Sequence, residues 1–268
     1  MYGMARRRRV HTRRELGSAH RAQVEQRTAI VMRMTTAGTP VAERIASAPP
    51  GYLLSQSSSD IIRHATMLGS LPAPREVRVA TTPGRITGEW QLDVATRDRP
   101  GILAAFTGVL HEAGLDVTQA ILATWDDAAA LQTFVIRSIE PPDDIILQHS
   151  LSASLDRPLT SSPVAEALVS FDHAVSPLYT SCVVTAVDQP GLLHTIAVAV
   201  ATAGIVIHAA SVTTIHGIAR DSFDLSDRSG RKLNEPFEDT IRFGIQNGVI
   251  PVRRARGRTT RHPGAPRP

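Results

Sequence analysis

Asp98-Arg99-Pro100-Gly101-Ile102-Leu103 combines residue types that could seat a small anion, and the chain carries the pattern twice. Asp188-Gln189-Pro190-Gly191-Leu192-Leu193 repeats it ninety residues later, and a further glycine, Gly114 or Gly204, follows each copy at the same distance. Proline has a fixed φ and no N–H, which suits the first turn of a helix. Asp98 and Asp188 can accept backbone N–H bonds as caps and complement the positive end of the helix dipole. Gly101 and Gly191 have no Cβ, so a ligand or a second backbone can come close. A helix start with free amides is a site for a carboxylate or phosphate. A single copy reads equally as a plain helix cap. A duplicated fold would also duplicate its caps, but two copies at one fixed period point to a repeated small domain.

Other chemistry finds less support. His111, His173, His194, His208 and His216 are scattered, and none has the i, i+4 partner of a zinc site on a helix. His64 reads as a surface or packing residue of a short helix. Cys182 is the single cysteine, so no intrachain disulfide can form. No convergent set of polar groups suggests catalysis, and neither a metal nor a cofactor is expected.

Composition sets the frame for those loops. The 268 residues suffice for one or two domains, 42% are hydrophobic, 20% charged and 4% aromatic, and the net charge is +4. The basic residues are arginines except Lys232, and they crowd the two ends: Arg6 to Arg9, Arg13 and Arg14, then Arg253 to Arg267. Such like-charged runs read as disordered tails, 1–20 and 253–268. Without interleaved aromatics they make a poor nucleic-acid surface. No apolar run follows the first arginines and no stretch approaches the ~20 apolar residues of a membrane span. The expectation is a cytoplasmic protein with no membrane contact.

Periodicity then supplies the elements. A helical linker segment is expected over 21–75: a helix from Arg21 to Met34, a breaker at Pro49-Pro50-Gly51, and a short helix from Ser59 or Asp60. Val77 to Thr81 is a strand. In the first repeat Trp90, Leu92 and Val94 alternate as a strand. Leu103, Phe106, Val109 and Leu110 form a helix face closed by Gly114. Strands at 115–124 and 131–136 flank a turn at Trp125-Asp126-Asp127. A helix follows from Pro141–Asp144, and Ala167 to Phe171 is read as the closing strand. The second repeat follows the same order, with a last strand at 249–252. The fold class is α+β: two ferredoxin-like βαββαβ domains, 76–173 and 174–252, behind a helical N-terminal segment.

Asp-x-Pro-Gly-Ile/Leu-Leu before a helix, with Gly-Leu/Ile-x-Val/Ile after it, resembles the ACT domain. The tandem pair, the Gly51-Tyr52-Leu53-Leu54 segment with His64, and Ser226-Asp227-Arg228-Ser229-Gly230-Arg231-Lys232-Leu233 together resemble the C-terminal regulatory end of the bacterial PII uridylyltransferase/uridylyl-removing family. That resemblance covers about residues 50–248. The family's nucleotidyltransferase Gly-Ser/Asp-x-Asp motif and its His-Asp phosphohydrolase motif are not found, so no enzyme activity is expected. Gln189 stands where arginine is commoner. The resemblance implies an effector amino acid, glutamine, bound near Asp98–Leu103 and Asp188–Leu193. Its carboxylate would rest on loop amides, and its ammonium on Asp98, Asp188 or a carbonyl. Without catalytic domains the signal would pass to itself or to a nitrogen-signalling partner. The alternative is an interaction scaffold without ligand, or a truncated remnant.

Overall fold

The computed structural model describes residues 13–249. Most of the two expected tails, and the end of the strand expected at 249–252, lie outside them. The N-terminal segment is four helices: α1 (Arg13–Met32), α2 (Pro40–Ala46), α3 (Pro50–Ser55) and α4 (Ser58–Met67). α1 begins inside the 1–20 stretch expected to be irregular, where Arg-Arg-Glu-Leu are good helix formers. Pro40 and Pro50, which look like breakers in the sequence, instead open helices. At that position proline's missing N–H is no loss, and Thr39 caps α2 by accepting from the Ala42 amide at 3.3 Å. Ser57, two residues ahead of the expected Ser59, caps α4 through the Asp60 amide at 3.1 Å.

Two ferredoxin-like sheets follow. The first domain is β1 (Arg78–Pro83), β2 (Glu89–Arg97), α5 (Ile102–Glu112), β3 (Asp116–Thr124), β4 (Ala129–Arg137) and α6 (Asp144–Ser154), in sheet order β1-β2-β4-β3. The second is β5 (Leu168–Asp172), β6 (Thr180–Val187), α7 (Leu192–Thr202), β7 (Val206–Ser211), β8 (Thr214–Ile215), β9 (Ile218–Ser226) and α8 (Glu235–Asn247). Its order is β5-β6-β9-β7, with β8 on β9. Every pairing is antiparallel.

One strand assignment changes. The strand expected to close the first sheet is β5, and it pairs with β6 of the second, Phe171 opposite Cys182. The first sheet takes β1 as its fourth strand, with Val79 opposite Val94. Consecutive strands joined by a short turn pair most readily, so each domain starts with its own outer strand and the division falls ahead of β5, not after residue 173. At the end of the described residues Val249 forms an isolated bridge to Ser161.

The inner faces of the two sheets, with Leu92, Phe134 and Ile136 in one and Val184, Phe223 and Leu225 in the other, share one continuous core with α5 to α8. α5 packs on α7, and the edge strands β3 and β7 run beside each other with Cα atoms within 8 Å. No main-chain hydrogen bond joins those two strands among the described residues.

The outer face of the first sheet is covered by the helical segment, where Ala95, Ala129 and Leu131 meet Tyr52, Leu53 and Ile61. Trp125, expected in a turn, is buried there and donates from Nε1 to the Arg44 carbonyl at 3.0 Å. His64 is wholly buried. Its Nε2 lies 3.0 Å from Asp93 Oδ1, and its Nδ1 lies 2.9 Å from the Tyr52 hydroxyl. Arg63 donates to the other oxygen of Asp93 at 2.7 and 2.9 Å. Although burial opposes it, the hydrogen bonds and charges of His64 and Arg63 hold the Asp93 carboxyl below its ordinary range. Tyr52, Leu53 and His64 are therefore parts of a packing network, while Leu54 of the same segment is exposed.

Candidate functional site

The two repeated loops are built alike. Gly101 and Gly191 are themselves the N-caps of α5 and α7, with φ of +81° and +83°. A left-handed cap favours glycine, because a side chain is strained there. Pro100 and Pro190 stand just before the cap, and neither cap accepts a side-chain bond, so Asp98 and Asp188 are not capping residues as expected. The loops close on themselves instead: the Ile102 amide donates to the Arg99 carbonyl at 3.3 Å and the Leu192 amide to the Gln189 carbonyl at 3.2 Å. Those two amides are therefore spoken for. Among the described residues the amides of Gly101, Leu103, Gly191 and Leu193 have no protein acceptor. Each loop is also pinned from behind, since the Asp98 amide donates to Ala128 at 2.7 Å and the Asp188 amide to Gly217 at 2.9 Å.

Each loop shares a cleft with a turn of the other domain. Asp98 to Ala104 and the α7–β7 turn, Gly204 to Ile207, enclose a first cleft of about 250 Å³. Asp188 to His194 and the α5–β3 turn, Gly114 to Val117, enclose a second of about 360 Å³. The first also takes in the end of β3 and the second the start of β3, so the clefts lie at opposite ends of the β3/β7 seam.

Their walls differ at matched positions. Beside Gly191 stands the ring of His111, 3.1 Å from where a Cβ would be. Beside Gly101 stand the Leu159 methyl at 2.8 Å and Ala201 at 3.6 Å. The second cleft therefore has an imidazole where the first has hydrocarbon. Arg99 and Arg228 belong to the first cleft, while Asp116, Asp188 and His194 belong to the second. Crowding at the mouth of the first cleft raises the Asp98 carboxyl, and the Arg99 amide and His208 oppose that rise.

Two further residues belong here that the sequence reading did not select. Gln132 on β4 pairs with Val94, and Asp221 on β9 pairs with Val184 at the corresponding place in the second sheet. Both are 1% exposed, both line a cleft, and no polar atom of either side chain has a hydrogen-bond partner. Burial pushes the Asp221 carboxyl up to about 7; the Thr213 amide opposes this without closing a bond, and Asp188 adds to the rise. The signal was present in the alternation: Asp221 shares its strand face with Ala219, Phe223 and Leu225, and Gln132 with Ala130, Phe134 and Ile136.

His111 and His194 line the second cleft, while His173 and His208 are engaged elsewhere. His173 meets Glu238 at 2.8 Å, and His208 stacks on Tyr179 and meets Ser226 Oγ at 2.8 Å. His194 sits between the carbonyls of Ala104 and Thr160, 2.9 Å from each. No group able to hold a metal occurs among the described residues. In the Ser226–Leu233 motif Asp227 accepts from the Ser229 hydroxyl at 2.7 Å and from the Arg231 and Ser229 amides at 2.9 and 2.8 Å, which lowers its carboxyl to about 2 and shapes the turn presenting Arg228. None of the helices among the described residues is long and apolar enough to cross a membrane.

No family model matches the chain. It is similar to the bifunctional uridylyltransferase/uridylyl-removing enzyme of Gluconobacter oxydans, 28% identical over 212 residues, covering 70% of this chain and 22% of that protein. The enzyme of the same description in Cereibacter sphaeroides is 29% identical over 225 residues, covering 75% and 24%. The chain thus spans less than a quarter of the length of these curated relatives. Among solved structures, an aspartate kinase from Synechocystis overlaps 53% of this chain and 25% of its own, at 18% identity and a TM-score of 0.33. The ferredoxin-like fold rests on the strand order instead. The chain is a tandem pair of ferredoxin-like units, similar over about 70% of its length to part of the uridylyltransferase/uridylyl-removing enzyme.

Proposed function

We propose that the chain is an amino-acid-binding regulatory unit, with L-glutamine the first ligand to test, acting through a partner in nitrogen signalling. The observation that supports it is the pair of clefts, each formed by a glycine-capped helix start of one domain and the helix–strand turn of the other. An α-carboxylate on the unpaired amides of Gly101 and Leu103, or of Gly191 and Leu193, meets the positive end of a helix. Asp98, Arg99, Pro100, Ile102, Asp188, Gln189, Pro190 and Leu192 shape the two rims. A molecule held between the domains shifts their arrangement by its difference in affinity for the two.

The test is isothermal titration of the purified chain with L-glutamine, with thermal shift at millimolar ligand as a second readout. Saturable heat and a raised Tm are expected. Silence in both, for glutamine and the other standard amino acids, leaves the interaction scaffold as the better account. The Leu159 methyl over Gly101 favours that scaffold reading at the first cleft alone.

A further inference from the structure

Asp221 and Gln132 occupy one position in two copies of one fold, and each leaves its polar atoms unpaired at the floor of a cleft. A buried polar group without a partner is costly, and a buried carboxylate more so than an amide. Folding alone supplies no reason for either, since the surrounding inner-face residues are apolar. Groups retained against stability mark places where a ligand completes the hydrogen bonding.

The rest of each wall agrees with its floor. In the second cleft Asp188 from the loop before α7 and Asp116 from the start of β3 add negative charge, while His111 on α5 and His194 on α7 stand at the sides. In the first cleft Asp98 stands where Asp188 does, but Arg99 and Arg228 offset it with positive charge above a neutral amide. The second cleft is therefore the more acidic of the two.

Resting on the amino-acid reading above, we propose that Asp221 is the acceptor for the ligand's ammonium group, which makes the second cleft the selective amino-acid site, while the first cleft, with Gln132 in the same place, does not require that ammonium. In the second cleft the α-carboxylate lies on the Gly191 and Leu193 amides and the ammonium reaches down to Asp221. The arrangement is charge-matched only when the Asp221 carboxyl is ionised, so affinity rises with pH through about 7. Asp188, Asp116, His111 and His194 face the same space, and a variant at position 221 separates its contribution from theirs.

The experiment uses the full chain, its Asp221→Asn variant and, as the matched control, Gln132→Leu. The twenty standard amino acids are screened by thermal shift, beginning with L-glutamine. The best binder and its deamino analogue (for glutamine, 4-carbamoylbutanoic acid) are then titrated into all three proteins. Asp221→Asn is expected to weaken the amino acid at least tenfold, to leave the deamino analogue unaffected, and to remove the pH dependence. It is also expected to raise the Tm of the ligand-free protein, which a merely structural role would lower. Gln132→Leu keeps the tight site. Equal affinity in Asp221→Asn, loss of the tight site in Gln132→Leu, or a lowered ligand-free Tm in Asp221→Asn overturns the assignment while the amino-acid reading stands. Failure of the wild-type chain to bind any of the twenty removes that reading, and this inference with it.

Discussion

The two sheets share strand order, inner core and a bulge at the same place, yet their outer faces have opposite fates. In the first sheet Asp93, Ala95 and Leu131 are sealed beneath the helical segment. At the corresponding places of the second stand Val183, Thr185 and Arg220, and Leu168, Val187 and Ile218 on that face are exposed. Repetition of a frame therefore fixes what faces inward and leaves the other side free to specialise. A buried carboxylate is tolerable in the first sheet because His64 and Arg63 meet it there. Among the described residues no helix covers the corresponding position in the second to supply such partners.

The largest expected effect tests that contrast directly. Asp93→Ala removes the acceptor of Arg63 and His64, and breaking a buried pair costs about 3–5 kcal/mol; urea denaturation should show it. Val183→Ala, at the matched site, should change stability by less than about 1 kcal/mol. A comparable loss in both would mean that the helical segment contributes nothing special.

Next in size is a pH effect of opposite sign in the two sheets. The Asp93 carboxyl is held low, so its stabilising contribution is present above the ordinary carboxylate range and is lost as pH falls through its lower folded value. The Asp221 carboxyl is raised to about 7, so the folded state binds its proton more tightly than the unfolded chain does. Its protonation adds stability as pH falls from about 7 towards the ordinary carboxylate value near ~4. Melting between pH 8 and 5 should show a rise that Asp221→Asn abolishes, with Asp188, Asp116, His111 and His194 left in place.

The smallest effect sharpens the comparison of the loops. Gly101→Ala and Gly191→Ala each force a side chain into left-handed backbone, at about 1–2 kcal/mol. Gly101→Ala should cost more, because its Cβ meets the Leu159 methyl at 2.8 Å, against 3.1 Å to the movable His111 ring at Gly191. Paired thermal melts give the order.

Much of this was legible in the chain. The duplicated hexapeptide, the glycine after each helix and the strand alternation lead to two ferredoxin-like units, because those signals are local. The prolines at 40 and 50 misled because proline both stops helices and starts them; the Thr39 cap tells which at position 40, and no side-chain cap does so at position 50. The placing of β5 was hidden because alternation says which face a strand buries and not which sheet it joins. The loops themselves were readable, but the facing turns at Gly114 and Gly204 come from the other domain, and no spacing within one repeat reports a neighbour across the seam. Asp221 and Gln132 were visible as polar residues in an apolar phase, a signal that acquires meaning once a cleft lies beneath them.

The meeting of β3 and β7 without a hydrogen-bonded ladder has a mechanical consequence. Side-chain packing alone resists sliding of one sheet edge along the other, so a shear there sacrifices no main-chain bond. A cleft lies at either end of that seam, so a molecule filling one would press on the line along which the two sheets can slide.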